Sequence, residues 1–292
     1  MRSGGKAVGA LDAKNIVITG GSLGIGLEIA VKAAAAGARV IIAARNEADL
    51  KKALAEVTHI SPNDHHIYPL DVSQYDAVQT FAKWCAHRFG TIDGLVNCAG
   101  IYGPIGKFPQ IDVKKFDEAI RINLLGTVYM CHSFIPVMTA SVLKKIVNYS
   151  GGGAASPFPH YTAYSTSKIA IVRFTENLAL EMSDEGFDVN CVAPGFVITR
   201  LHQDTLAAGP GLCPPAFYEN TKKQIETGGI PADKAANLTV YLLSGASEGI
   251  TGKFISAPWD VWEDEAFRER LRSDKDFATL RRIDDKTFFK RN

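Results

Sequence analysis

Tyr164 and Lys168 stand four positions apart in the run Tyr-Ser-Thr-Ser-Lys. On a helix, residues i and i+4 share a face. An ammonium beside a phenol favours the ionised phenol and lowers its pKa from a reference of about 10. Such a pair suits proton transfer to or from a carbonyl oxygen near neutral pH. A second Tyr-x-x-x-Lys, Tyr218 to Lys222, follows no strand and reads as a surface pair. Ser150 closes the apolar run 144–150 ahead of Tyr164. There it is a candidate donor to the same oxygen, acting like half of an oxyanion hole, or a strand-end serine that only satisfies backbone groups.

A second constellation lies near the N-terminus, where Thr19-Gly20-Gly21-Ser22-Leu23-Gly24-Ile25-Gly26 follows an apolar run and opens a helical pattern. Glycines let the backbone approach a pyrophosphate, which then sits on the helix N-terminus. A tight strand-to-helix turn that needs glycine for its own geometry is the alternative. The next apolar run ends Ala43-Ala44-Arg45. An acid at that strand end would bind a ribose 2′-hydroxyl. Here Ala44 takes its place, and Arg45 suits a 2′-phosphate. The expected cofactor is therefore NADP, with NAD as the alternative.

The elements that must position these groups follow from the hydrophobic pattern. Strands are expected at 15–19, 38–44, 66–70, 93–97, 144–150, 187–193 and 252–256, and helices at 24–36, 47–57, 74–89, 115–138, 163–182 and 232–243. Runs apolar on both faces, alternating with helices, give a parallel sheet covered on both sides. Right-handed crossovers make this a doubly wound Rossmann-type α/β sheet, three layers in one domain over 11–258. Segment 198–230 interrupts the rhythm and is rich in Gly and Pro, as expected of a substrate lid.

In order along residues 11–256, the motifs resemble those of the short-chain dehydrogenase/reductase family. The turn TGGSLGIG is similar to the family's TGxxxGxG. The resemblance implies that Asp71-Val72 contact the adenine and that Asn97-Cys98-Ala99-Gly100 stands for NNAG, with Cys98 replacing an Asn. It implies that Pro194-Gly195, with Val197 and Thr199, holds the nicotinamide carboxamide. Cofactor contacts are then expected from Gly20, Ser22, Leu23, Gly24, Ile25, Gly26, Arg45, Asp71, Val72, Asn97, Ala99, Gly100, Tyr164, Lys168, Pro194, Gly195, Val197 and Thr199. The family's serine lies thirteen residues before the tyrosine, where this chain has Gly151; Ser150 lies one earlier, ahead of a flexible Gly151-Gly152-Gly153 run. Asn123 matches the family's helix asparagine, implied to hold a water that relays protons to Lys168. The implied activity is hydride transfer between NAD(P) and a small-molecule carbonyl or secondary alcohol, with Tyr164 as acid/base. A catalytically silent dinucleotide sensor and a sugar-modifying enzyme on the same fold are the competing readings.

The chain has 292 residues, 32 Lys plus Arg and 31 Asp plus Glu, for a net charge of +1. That balance provides no field to draw in nucleic acid. Five scattered cysteines without a CxxC pair argue against a disulfide framework and suit a cytoplasmic protein. No metal-ligand spacing is evident. No apolar stretch suggests a signal peptide or a membrane span. Residues 1–10 read as a flexible lead-in, and His65-His66 as surface residues. Members of the resembled family form homodimers or homotetramers, so Val128, Phe134, Phe174 and Leu178 are candidate interface residues, or monomer core. His160, Tyr161 and Phe196 are expected to wall the substrate. Residues 259–292 form an extension with nine acids and nine bases from Asp260 onward. Trp259 and Trp262 are expected to anchor it, Phe267 and Leu271 to face one way on a short helix, and Phe277, Leu280 and Ile283 to meet the lid or another subunit.

Overall fold

The computed structural model describes residues 9–282. Strand β1 (Asn15–Thr19) is buried throughout. Its Ile16 and Ile18 join one apolar cluster and Val17 another. In β2 (Arg39–Ala44), Val40 and Ile42 face the first cluster, Ile41 and Ala43 the second. Alternation between two cores is what period-two side chains produce when both faces are covered. With β3 (His66–Pro69), β4 (Gly94–Asn97), β5 (Lys144–Tyr149), β6 (Phe187–Ala193) and β7 (Phe254–Ser256), the strands form one sheet ordered β3-β2-β1-β4-β5-β6-β7. Every pairing among them is parallel.

The helices are α1 (Gly24–Ala35), α2 (Glu47–Ile60), α3 (Tyr75–Phe89), α4 (Val113–Ile120), α5 (Gly126–Met138), α6 (Thr162–Glu181), α7 (Arg200–Ala208), α8 (Pro215–Thr227), α9 (Ala232–Leu243) and α10 (Glu265–Ser273). Buried residues of α1, α2 and α9 fill the first cluster, and those of α3, α5 and α6 the second. The result is the three-layer, doubly wound sheet expected. Its order reverses beside β1, and a crevice opens there at the carboxyl ends of the strands.

The structure departs from several expectations. The helix expected over 115–138 is two helices joined by a wide π turn, Arg121–Leu125, with Asn123 at its centre. Such turns divert the backbone from regular i→i−4 bonding. Segment 198–230 is mostly helical, carrying α7 and α8. His65 is buried, not at the surface: the Val40 amide donates to its Nδ1 at 3.1 Å, and its Nε2 lies 3.1 Å from the Ser61 carbonyl. Phe134 and Leu178 belong to the core, while Val128 and Phe174 are partly exposed.

The extension closes on its own domain rather than on the lid. Trp262 is buried and donates from Nε1 to the Ala257 carbonyl at 3.2 Å. Leu271 is buried on α10 and Phe267 packs beside it. The Phe254 amide donates to the Ala278 carbonyl at 2.7 Å, giving part of the edge strand β7 a partner. Leu280 packs against the cluster of Ala154, Ile171 and Val172. Glu176 of α6 accepts from the Leu280 amide at 2.9 Å and from Arg281 at 3.1 Å. Ile283 and residues 1–8 lie outside the described residues. Among the described residues, no helix is long and apolar enough to cross a membrane.

Candidate active site

A cleft of about 1070 Å³ runs along the carboxyl ends of β1, β2, β4, β5 and β6. One end is the glycine turn. Gly20 takes φ +67°, and a Cβ there would lie 2.9 Å from the Ala99 backbone. A Cβ on Gly26 would lie 2.3 Å from the Gly20 carbonyl oxygen, so α1 can start flush against the turn only with glycine there. The N-cap residue Leu23 supplies no capping side chain, and the first turn of α1 holds no acid. Its open N–H groups and positive dipole end thus face the cleft. Thr19 Oγ1 accepts from the Cys98 and Ala99 amides at 3.2 and 3.4 Å, joining the ends of β1 and β4.

Gly20, Ser22, Leu23, Gly24, Ile25, Gly26, Arg45, Asp71, Val72, Ala99, Gly100, Pro194, Gly195, Val197 and Thr199 all line this cleft. Asn97 does not. Its Nδ2 donates to Asn148 Oδ1 at 2.9 Å behind the wall, and Asn148 in turn donates to Thr175 of α6. Asp49, which none of the sequence motifs marks, shares the Arg45 end. The His202 amide donates to the Thr199 carbonyl at 3.0 Å and stands in capping-box relation to the Thr199 side chain. Thr199 Oγ1 is buried, and its own O–H has no protein acceptor among the described residues. A buried hydroxyl with an unspent O–H on the cleft wall, an uncapped helix start and a glycine cradle together fit a dinucleotide.

At the centre, Tyr164 and Lys168 lie on one face of α6, both nearly buried. Lys168 Nζ sits 5.6 Å from the Tyr164 ring centre and donates to the Tyr149 carbonyl at 2.8 Å. The spacing therefore brings the pair together, but the electrostatic expectation is corrected. Burial pushes the Tyr164 phenol above its ordinary range, and burial pulls the Lys168 ammonium down. Desolvation of both charged forms outweighs any mutual help.

Ser150 lines the cleft, yet its hydroxyl donates to the Lys168 carbonyl at 3.1 Å. The residue facing the Tyr164 hydroxyl is Gly151. Successive residues leaving a strand point to opposite sides, and 151 has the side that 150 lacks. Asn123 is fully buried within the π turn. Its Oδ1 accepts from the Ile101 amide at 2.8 Å, and its Nδ2 donates to the Ile101 carbonyl and to Ser167 Oγ, each at 2.9 Å. It ties the loop after β4 to α6. Both Asn123 Oδ1 and Lys168 Nζ lie within van der Waals reach of a Cβ built on Gly100.

The far end is aromatic. Tyr102, Phe158, Phe196 and Phe217 line it, with Trp259. Tyr102 meets Tyr164 edge to face at 4.9 Å between ring centres. Of the expected wall, Phe196 lines the cleft and the other two residues do not. Tyr161 is fully buried behind it, stacked on Phe158 at 4.3 Å and hydrogen-bonded to Thr205 at 2.9 Å. His160 takes φ +70° and its Nδ1 lies 2.6 Å from the Leu212 carbonyl, fastening the loop before α6 to the segment between α7 and α8. Trp259 is 77% exposed and anchors nothing. His202, one turn after Thr199, is buried against Phe196. The Thr199 amide donates to its Nδ1 at 3.3 Å, and burial lowers its pKa to about 4. The Cys98 thiol, also on the wall, is pushed up to about 12 by burial.

Fold and cleft together define a dinucleotide-binding α/β protein, with a buried tyrosine–lysine pair between a glycine cradle and an aromatic pocket. The short chain dehydrogenase family profile matches residues 14–208. The chain is 30% identical over 251 residues to the D-beta-hydroxybutyrate dehydrogenase of Rhizobium meliloti (strain 1021), covering 83% of this chain and 96% of that one. It is 34% identical over 223 residues to the 3-ketodihydrosphingosine reductase of Bos taurus, covering 75% of this chain but 62% of that relative's length. The levodione reductase crystal structure superposes with a TM-score of 0.76 at 25% identity, over 84% of this chain and 96% of that one. The chain belongs to the short-chain dehydrogenase/reductase family.

Proposed function

We propose that the protein is an NAD(P)-dependent oxidoreductase that interconverts a carbonyl compound and a secondary alcohol. The observation that carries this reading is the burial of Tyr164 beside Lys168, between the glycine cradle and the aromatic pocket. The names of the two relatives, a reductase and a dehydrogenase, support the same class of reaction. A bound nicotinamide cofactor supplies or accepts the hydride.

The chain's own residues do the rest. The open N–H groups at the start of α1 hold the pyrophosphate, and Asp71 and Val72 flank the adenine. Thr199 Oγ1 offers its free hydrogen-bonding capacity to the carboxamide. Tyr164, kept protonated by burial, donates its proton to the substrate oxygen in reduction and takes it back in oxidation. Lys168 limits the cost of charging that phenol and binds the ribose. Ser150 fixes the end of β5 to α6, and Asn123 fixes the loop after β4 beside Lys168. Arg45 favours NADP, against the neighbouring Asp49. Assembly as a homodimer or homotetramer and a cytoplasmic location complete the reading.

The test is NADPH and NADH oxidation by the full chain against ketones, sugars, β-ketoacyl thioesters and quinones. Turnover that falls about 100-fold or more in Tyr164→Phe supports the reading. Unchanged turnover in that variant overturns the role of Tyr164.

A further inference from the structure

Several polar atoms around the substrate end are already engaged. Tyr161 Oη is bonded to Thr205, Cys213 Sγ lies 3.5 Å from the Thr205 carbonyl, and His202 Nδ1 takes the Thr199 amide. A low pKa keeps the His202 ring neutral at neutral pH. Arg200 and Asp204 line the same end, one turn apart on α7, with opposite charge. Beside them the lining is aromatic: Tyr102, Phe158, Phe196 and Phe217, with ring contacts of 4.9 Å from Phe158 to Phe217 and 6.1 Å from Phe196 to Phe217. The rings themselves favour an apolar ligand group over a polar one.

Trp259 lines the same cleft. Its backbone is held firmly. The Ser256 amide donates to the Asp260 carboxylate at 2.8 Å, the Asp260 amide donates to the Ser256 carbonyl at 3.1 Å, and Pro258 packs where a Cβ on Gly195 would fall. The indole itself stays 77% exposed while lining the cleft. A large ring held open on a fixed turn, on the wall of the same cleft, is a surface for a ligand to cover.

We propose that Trp259 is a specificity-determining residue, and that the substrate is a carbonyl compound with an apolar body that covers the Trp259 indole. This rests on the oxidoreductase reading. The substrate's apolar chain is the occupant of the Trp259 surface, and its carbonyl oxygen meets the Tyr164 hydroxyl.

The test compares wild type with Trp259→Ala and Trp259→Phe on a homologous series of methyl ketones from butanone to dodecan-2-one. In wild type, kcat/KM should climb with chain length. In Trp259→Ala, KM for the long ketones should rise about tenfold with kcat unchanged, while butanone is unaffected; Trp259→Phe should recover most of the loss. Equal effects on short and long ketones, or none, overturn the proposal. A second readout does not need turnover: tryptophan emission during titration with dodecan-2-ol in the absence of cofactor. A saturable change that disappears in Trp259→Phe supports the apolar subsite even if no ketone is reduced, which would count against the oxidoreductase reading alone. No saturable change, with or without turnover, counts against the subsite.

Discussion

A Cβ built on Gly151 would lie 2.2 Å from the hydroxyl oxygen of Tyr164. No real side chain tolerates that distance, so the position of the phenol depends on the absence of one at 151. Gly151 is not among the glycines with positive φ, so alanine there is strained through Tyr164 and not through its own backbone. Gly151→Ala should therefore displace the hydroxyl and cost about 100-fold in kcat, the scale of a 1 Å misplacement. Gly152, with nothing within 4 Å of a Cβ, is the control: Gly152→Ala should keep full activity. Steady-state kinetics on both variants, with circular dichroism to confirm folding, decides the point.

Burial raises the Tyr164 pKa, and the sign of the pH dependence follows. Reduction needs the protonated phenol, which is present throughout the neutral range, so its rate should be flat there. Oxidation needs the phenolate, whose fraction grows about tenfold per pH unit below the pKa. Initial rates in both directions from about pH 6 to 9 check this. A flat oxidation profile would point to a lowered phenol pKa in the loaded enzyme.

Arg45 stands exposed at the end of β2, lining the cleft, with no acid in the place of Ala44. Arg45→Ala should weaken NADPH binding by about tenfold or more, the scale of a charge-assisted hydrogen bond to phosphate, and leave NADH binding unchanged. Fluorescence titration with each cofactor measures the ratio. Tighter NADH than NADPH binding by the wild type would reverse the preference.

His202 links α7 to pH. Its folded pKa of about 4 lies below the ordinary histidine value of 6.5, so the segment with α7 unfolded binds more protons between those values. The stability this burial contributes is present above pH 6.5 and is lost as pH falls toward 4. Hydrogen exchange of α7 should accelerate on acidification over that window. In His202→Asn, which keeps an acceptor for the Thr199 amide but does not titrate, the acceleration should vanish.

Glu176 is nearly buried and receives the Leu280 amide together with Arg173 and Arg281. Glu176→Ala leaves those donors without their acceptor and should lower stability by roughly 1–3 kcal/mol. Thermal melts of wild type and variant, with proteolysis to report release of the extension, test it. An unchanged melt with an intact extension would show that apolar packing of Leu280 suffices.

The sheet, the glycine turn and the tyrosine–lysine pair are legible in the chain alone because each is a local matter. They rest on strand and helix periods, a βα turn that only glycine permits, and an i, i+4 spacing. Asn123 is legible as part of a long helical stretch, but the π turn that surrounds it is not. Direction and distance come from packing instead. Ser150 and Gly151 are neighbours in the chain, yet the fold turns one to the Lys168 carbonyl and sets the other against the phenol. Trp259 and Trp262 look alike in sequence, but one is buried and the other is left at the cleft. Tyr102, Phe158 and Phe217 come from separate loops and helices, and no spacing relates them. The charge balance follows from composition, but its use does not. Arg281 meets α6, and the carbonyls of Asp274 and Phe277 meet Lys253 beside β7, because the path of the extension brings them there.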